Sequence, residues 1–339
     1  MQQRQKTARS CSFAALPGTE FDTRKRHAVL TRLLRVYARA KGHRQREISM
    51  KWERARQSQN VEDRRGGRTV RRAGGLGIGG IAIAIIVGWL MGVSPMEILG
   101  LLSSQQGQPG ASGPVASTPE EEAARANDPR RQFVAAILGE TEDVWSAQFS
   151  GQNYPAPRLV LFEGSVNSAC GQASSAVGPF YCPGDQQVYI DLAFFAEMQK
   201  RLGGGGDFAE AYVIAHEVGH HIQTLTGVSK RVNDARRRGE DVEGDNGLLV
   251  RQELQADCYA GVWAHHAQAR HQWLEEGDIE EALNTASAIG DDRLQKQSRG
   301  QVVPDAFTHG TSAQRVRWFT EGFRNGRVER CDTFQAATL

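Results

Sequence analysis

The chain has 339 residues, 40% of them apolar and 24% charged, values that exclude a collagen-like, wholly disordered or polytopic membrane protein and suit one or two domains. Its net charge of +2 hides an asymmetry: residues 1–72 carry 20 basic and 6 acidic side chains, the remainder 21 and 33. Segments of opposite sign point to different surroundings.

Residues 1–73 read as a basic cytoplasmic tail whose one apolar patch is Val29–Val36. A solvated tail beside anionic lipid accounts for this arm better than nucleic-acid binding, so no nucleic acid is expected as a partner. From Met50 the chain runs MKWERARQSQNVEDRRGGR, in the manner of a short polar N-terminus, and residues 1–49 read as a misassigned start. Gly74 to Val93 is free of charge, and a helix of that length spans about 30 Å, the thickness of the hydrocarbon core. Arg64, Arg65, Arg68, Arg71 and Arg72 precede it, while Glu97 and Glu120 to Glu122 follow. This bias predicts a single-pass transmembrane anchor at 74–93 in contact with membrane lipid, the N-terminal side in the cytoplasm and the C-terminal part on the periplasmic or extracellular side. Residues 94–119 form a membrane-proximal segment and a Gly/Ser/Pro/Gln linker, too poor in apolar residues to fold. The folded domain is expected over 120–339.

Within it, Pro129–Leu138 and Thr141–Phe149 read as helices, the first with Asp128 as N-cap and proline in the first turn. The β-branched and aromatic runs Arg158–Val166 and Gln187–Leu192 read as strands. A helix over Ala193–Leu202 follows, then one that opens at Asp207 and ends at Gly227. A polar loop over Lys230–Asn246 leads to a long helix at Leu248–Arg270 and two more near Ile279–Ile289 and Ser312–Phe323. Helices with a few early strands define an α+β domain.

The chemistry gathers at His216-Glu217-Val218-Gly219-His220, an HExxH pattern inside an apolar helix. Histidines four apart project from one face and reach a single ion, and Glu217 lies beside that face, placed to take a proton from water. A catalytic zinc takes three protein ligands and keeps one position open. Glu253 and Asp257, one turn apart on the next long helix, supply one carboxylate to ligate and one to hydrogen-bond a ligand histidine.

HEVGHH, then RQELQADCYAGVWA, then HGTSAQRVRWFTEGF, with KWERARQSQNVEDRRGG ahead of the apolar run, together resemble the neutral zinc metallopeptidases of bacterial membranes. The resemblance covers Met50 to the C-terminus. It implies a zincin-like, helix-rich metallopeptidase fold with a small sheet, Zn2+ held by His216 and His220, Glu217 as catalytic base, and Glu253 in the place of the third ligand, with Asp257 behind.

Other features carry two readings each. Gly178-Pro179-Phe180-Tyr181 is either a rim to which a substrate strand adds or an ordinary turn. His309 either steadies an oxyanion or belongs to a helix-cap loop. His221, His265, His266 and His271 read as structural or surface residues. Cys170, Cys182, Cys258 and Cys331 lie beyond the apolar run and Cys11 before it. Four thiols in an exported domain suit two disulfides; of three connectivities, Cys170–Cys182 with Cys258–Cys331 is preferred because the first closes a short loop. The expected activity is zinc-dependent hydrolysis of a peptide or protein substrate. The alternative is a catalytically silent zincin scaffold that binds a partner in the cell envelope.

Overall fold

The computed structural model describes residues 50–66, 118–150, 153–202, 206–274 and 277–339. The arm at 1–49 and the apolar run at 74–93 lie outside the described residues. Among those described, no helix is long and apolar enough to cross a membrane.

A four-stranded mixed sheet stands at the centre: β1 (Val61–Asp63), β2 (Arg158–Phe162), β6 (Gln187–Asp191) and β5 (Phe180–Cys182), in the order β1-β2-β6-β5. β1, β2 and β6 run parallel, and β5 is antiparallel to β6 at the edge. β3 (Ser165–Ser168) and β4 (Gly171–Ser174) form a separate hairpin. Side chains alternate between faces along a strand, and here both faces are covered. Leu159, Leu161, Val188 and Ile190 join the main core with the helices, whereas Val160, Phe162 and Tyr189 pack with Val166 of the hairpin. That two-sided burial explains the unbroken apolar run of β2. The expected strand over 158–166 divides because Gly164 adopts φ +77°, a left-handed conformation that suits glycine and turns the chain into β3.

Nine helices follow among the described residues: α1 (Pro119–Ala126), α2 (Pro129–Gln148), α3 (Ala193–Leu202), α4 (Asp207–Leu225), α5 (Val228–Arg237), α6 (Leu248–His271), α7 (Asp278–Ala288), α8 (Asp291–Arg299) and α9 (Ser312–Asn325). The helix-rich α+β class is as expected. Asp128 caps α2 by accepting from the Arg130 amide, with Pro129 in the first turn. The two helices expected around Gly139 are one. Gly139 sits where a Cβ would strike the backbone of Arg56 and Ser58, and the Ser58 amide donates to the Ala135 carbonyl at 2.8 Å. The glycine is a contact point for another segment and leaves the helix unbroken. The expected polar loop at 230–246 begins as α5, whose inner face is only Ser229, Val232 and Ala235.

That contact exposes a larger departure from the expected domain division. Residues 50–66, assigned to the tail, are built into the domain. Met50 is buried in the core, β1 extends the sheet, and Arg65 pairs with both Asp63 and Asp128 at 2.6 Å. The domain is therefore made of 50–66 together with the chain from 118 onward.

The site is positioned by α4, α6 and α9. α6 packs against both of the others, and glycine sets the distances. A Cβ on Gly219 of α4 would stand 3.1 Å from the backbone of Ala256 in α6. Cβ atoms on Gly261 of α6 or Gly322 of α9 would run into the other helix's backbone. The helices thus meet backbone to backbone, which draws polar side chains from all three into one cluster.

Candidate metal centre

α4 is buried on nearly every side, because it runs through the core. Phe208 stacks on Trp263 of α6, and Tyr212 meets Phe319 of α9 edge-on at 5.4 Å. His216 and His220 emerge from one face, their rings 4.8 Å apart and perpendicular. Across from them, Glu253 of α6 places Oε2 3.2 Å from His216 Nε2 and Oε1 3.4 Å from His220 Nε2. One donor atom from each of the three lies within 4.8 Å of the others.

The donor set and its spacing fit zinc. Ligand bonds of 2.0–2.1 Å arranged tetrahedrally separate the ligand atoms by about 3.3–3.4 Å, close to the two nitrogen–oxygen distances. The far side of each ring is already engaged. His216 Nδ1 bonds Asp257 Oδ1 at 2.8 Å, and His220 Nδ1 bonds Gln223 Oε1 at 2.9 Å, which leaves both Nε2 atoms to face Glu253. Such partners orient a ligand histidine and fix its tautomer. Gln223 is itself fixed, donating to the Gln252 carbonyl at 2.7 Å and to Gln255 at 3.1 Å.

Of the two α6 carboxylates, Glu253 thus faces the imidazoles and Asp257 stands behind one of them. Asp257 is fully buried and accepts from Tyr212 Oη at 2.5 Å and from Arg315 Nε and Nη2 at 2.9 and 2.8 Å. Burial disfavours its charge, but Arg315 and His216 outweigh that and keep its pKa low. Burial likewise opposes the Glu253 carboxylate and is overcome by His220 and His216, so its pKa falls well below the ordinary range. His216 is the complement: burial favours the neutral ring, yet Asp257 and Glu253 raise its pKa to about 10. Two carboxylates thus concentrate negative potential on the imidazoles, as a cation site requires.

Glu217 and His309 line the same cavity of about 480 Å3, with His216, His220, Glu253 and Arg315. Asp291 holds the His309 loop, accepting from the amides of Thr308, His309 and Gly310 at 2.7, 2.6 and 3.0 Å. The Asp291 carboxylate raises the His309 pKa against the effect of burial, and Glu253 adds to the rise. Gly178, Pro179, Phe180 and Tyr181 also border the cavity, so this stretch is a wall of the cleft. His221 points elsewhere: Nδ1 meets Tyr181 Oη at 3.1 Å and Nε2 donates to the Pro155 carbonyl at 2.7 Å. His265, His266 and His271 bond Phe323, Gly326 and Glu140, in structural roles.

The sequence reading missed three participants. Gln223 follows His220 by three residues and is reachable by helical spacing. Arg315 and Asp291 meet the site only through the tertiary fold. The cysteines form Cys170–Cys182 and Cys258–Cys331, as expected, and two disulfides suggest a domain outside the cytoplasm.

An HExxH helix, a glutamate from a second helix and an open cleft make a candidate metal centre in a helix-rich α+β domain. The chain belongs to the family described as "Putative neutral zinc metallopeptidase", whose model matches residues 50–334. It is 47% identical over 293 residues to the uncharacterized protein YpfJ of Escherichia coli (strain K12), covering 84% of this chain and 99% of that protein. It is 45% identical over 216 residues to the uncharacterized protein Rv2575 of Mycobacterium tuberculosis (strain ATCC 25618 / H37Rv), covering 61% and 71%. No solved structure matches the chain significantly.

Proposed function

We propose that the protein is a zinc-dependent endopeptidase acting on peptide or protein substrates outside the cytoplasm. The observation that carries this reading is that the His216–His220–Glu253 group opens into a cleft that Glu217 also lines. His216, His220 and Glu253 are the ligands, and Asp257 and Gln223 orient the two rings. Zinc, when bound, supplies Lewis acidity and an acidified water near neutral pH.

The remaining chemistry belongs to the chain. The Glu217 carboxylate accepts the proton of the attacking water and delivers it to the leaving amine, since it is held beside the ligand face without ligating. His309, steadied by Asp291, donates to the oxygen that gains charge in the tetrahedral intermediate. The edge strand β5 offers unpaired backbone for an extended substrate. Attachment to lipid through residues 74–93 belongs to the same reading, with residues 50–66 and the domain on one side.

The test is metal analysis of the full chain together with a peptide-library assay on wild type and Glu217→Gln. Glutamine keeps the size and hydrogen bonding of the glutamate but takes no proton. Zinc content and thermal stability should stay at the wild-type level while hydrolysis falls by about 10²–10⁴-fold. Equal rates in both proteins would remove Glu217 from the mechanism. Zinc without any cleavage in wild type would favour the silent scaffold.

A further inference from the structure

α6 serves two different neighbours. Glu253 and Asp257 turn to the histidines of α4. Arg251, Gln255 and Cys258, spaced to share one side of the helix, meet the end of the chain, where a short turn at Val328–Cys331 follows α9. Arg251 Nη1 donates to the Ala336 carbonyl at 3.1 Å, and Cys258 is bridged to Cys331.

From that turn a buried line of hydrogen bonds runs to the metal ligands. The Cys331 carbonyl accepts from Gln255 Nε2 at 3.0 Å, Gln255 Oε1 accepts from Gln223 Nε2 at 3.1 Å, and Gln223 Oε1 bonds His220 Nδ1 at 2.9 Å. Gln223 is wholly buried and Gln255 is 6% exposed, so these groups rely on one another rather than on water. The line has a direction. A carbonyl only accepts, so the Gln255 amide nitrogen faces Cys331 and its oxygen faces Gln223. Gln223 then offers its nitrogen to Gln255, as it does to the Gln252 carbonyl, and its oxygen to His220. The His220 proton is thereby held on Nδ1, and the Nε2 lone pair is left for an ion.

We propose that Gln255 is a positioning residue through which the Cys258–Cys331 bridge sets the zinc affinity of His220, so that the site tightens only once that bridge has closed. The bridge fixes the Cys331 carbonyl against α6; without it the turn shifts and the line loses its last acceptor. Closure passes two electrons and two protons from the Cys258 and Cys331 thiols to a disulfide-bearing oxidant, which is reduced to its dithiol. Such pairing occurs outside the cytoplasm, and zinc uptake is thus coupled to the compartment in which the protein works. The inference rests on the reading of His220 as a ligand.

Zinc affinity of the full chain, read by chelator competition well below each protein's melting temperature, tests this without any substrate. Cys258→Ala/Cys331→Ala should lose about 3- to 10-fold, less than the roughly 10–100-fold of a residue that touches a ligand directly. Cys170→Ala/Cys182→Ala, which opens the bridge between the hairpin and β5, should bind zinc as wild type does. Gln255→Met, close in size but without hydrogen bonds, should show the loss with both bridges intact. Combined with Cys258→Ala/Cys331→Ala it should cost nothing further, because two changes on one path do not add.

Wild-type affinity in Gln255→Met or in Cys258→Ala/Cys331→Ala overturns the proposal, and the first of these leaves every cysteine in place. So do losses that multiply in the combined variant, or an equal loss in Cys170→Ala/Cys182→Ala, since each would mark a general loosening of the fold. Wild-type zinc affinity in His220→Ala would instead remove the ligand on which the inference stands, a failure told apart from that of the hydrogen-bonded line.

Discussion

The amide of Leu159 donates to the carbonyl of Asn60 at 2.9 Å, and this bond joins two stretches that flank the apolar run at 74–93. It is one of several: the Arg64 amide reaches the Leu161 carbonyl at 2.8 Å, and Val61, Glu62 and Asp63 pair in register with Leu159, Val160 and Leu161. A chain that crossed a bilayer once between 66 and 118 could not form them. Two full crossings need roughly 40 apolar residues, more than the stretch holds before Ser103. In the described fold the two flanks lie together, at odds with an orientation that places residues 50–66 in the cytoplasm and the domain outside. The arginines at 64–72 argue for the inside and the disulfides for the outside. The disulfides favour the outside, and Arg64 and Arg65 are already paired with Glu62, Asp63 and Asp128.

Tags ahead of Met50 and at Leu339 should accordingly respond together. In intact cells whose outer barrier has been opened, both should be reached by an impermeant reagent. A tag at Leu339 that labels while the other stays protected would mean that β1 is absent from the sheet in the cell.

The two α6 carboxylates should part company on mutation. Glu253→Ala removes an atom that faces both imidazoles, and like His220→Ala it should abolish zinc and activity together. Asp257→Ala removes the group behind His216 and should weaken zinc by about 10–100-fold, with a larger loss of stability because Arg315 is left buried and unpaired. Zinc affinity is read by competition with a chromophoric chelator. Full affinity in Glu253→Ala would transfer the third ligand to another residue.

The legible part of this site is the part that helix geometry governs. His216, His220 and Gln223 are neighbours on one helix face, as are Glu253 and Asp257, so a period of 3.6 residues relates them without knowledge of the fold. Which carboxylate faces the metal depends on the crossing of α4 and α6 at Gly219 and Ala256, and no periodicity encodes a crossing. Arg315 is 58 residues from Asp257 and looks like any helix arginine until α9 is docked through Gly322. β1 escaped notice because three residues, VED, carry too little apolar pattern to stand out from a charged tail. Its strand character comes from the partner, β2.

The two disulfides should contribute unequally. Cys170–Cys182 spans 12 residues and Cys258–Cys331 spans 73. On loop-closure entropy these are worth about 3 and about 4.5 kcal/mol. In urea unfolding, the Cys258→Ala/Cys331→Ala protein should be the less stable of the two paired variants. Thiol labelling of denatured, unreduced protein should find none of these four cysteines free; four labelled thiols would reject both bridges.

Two carboxylates outside the metal centre predict how stability varies with pH. Glu210, in the first turn of α4, is pushed up to about 7 by burial against the pull of Arg130, with Asp207 adding to the rise. Glu281, in the first turn of α7, reaches about 7 through burial and the neighbouring Asp278 and Asp207. Between the ordinary carboxylate value of 4.5 and 7 the folded protein holds protons that the unfolded chain has released. The resulting stabilisation is fully present below 4.5 and is lost as pH rises through 7. The zinc-loaded protein is the one to use, because the raised pKa of His216 gives metal-free protein a similar slope at higher pH. Its melting temperature should fall by about a few degrees from pH 5 to pH 8. Glu210→Gln/Glu281→Gln should flatten that fall and melt above wild type at pH 8, where the native pair must carry charge in a half-buried setting. Loss of the Arg130–Glu210 contact costs little, since that pair is 3.3 Å apart and partly exposed. A double variant whose melting curve ran parallel to wild type across this range would locate the pH response elsewhere.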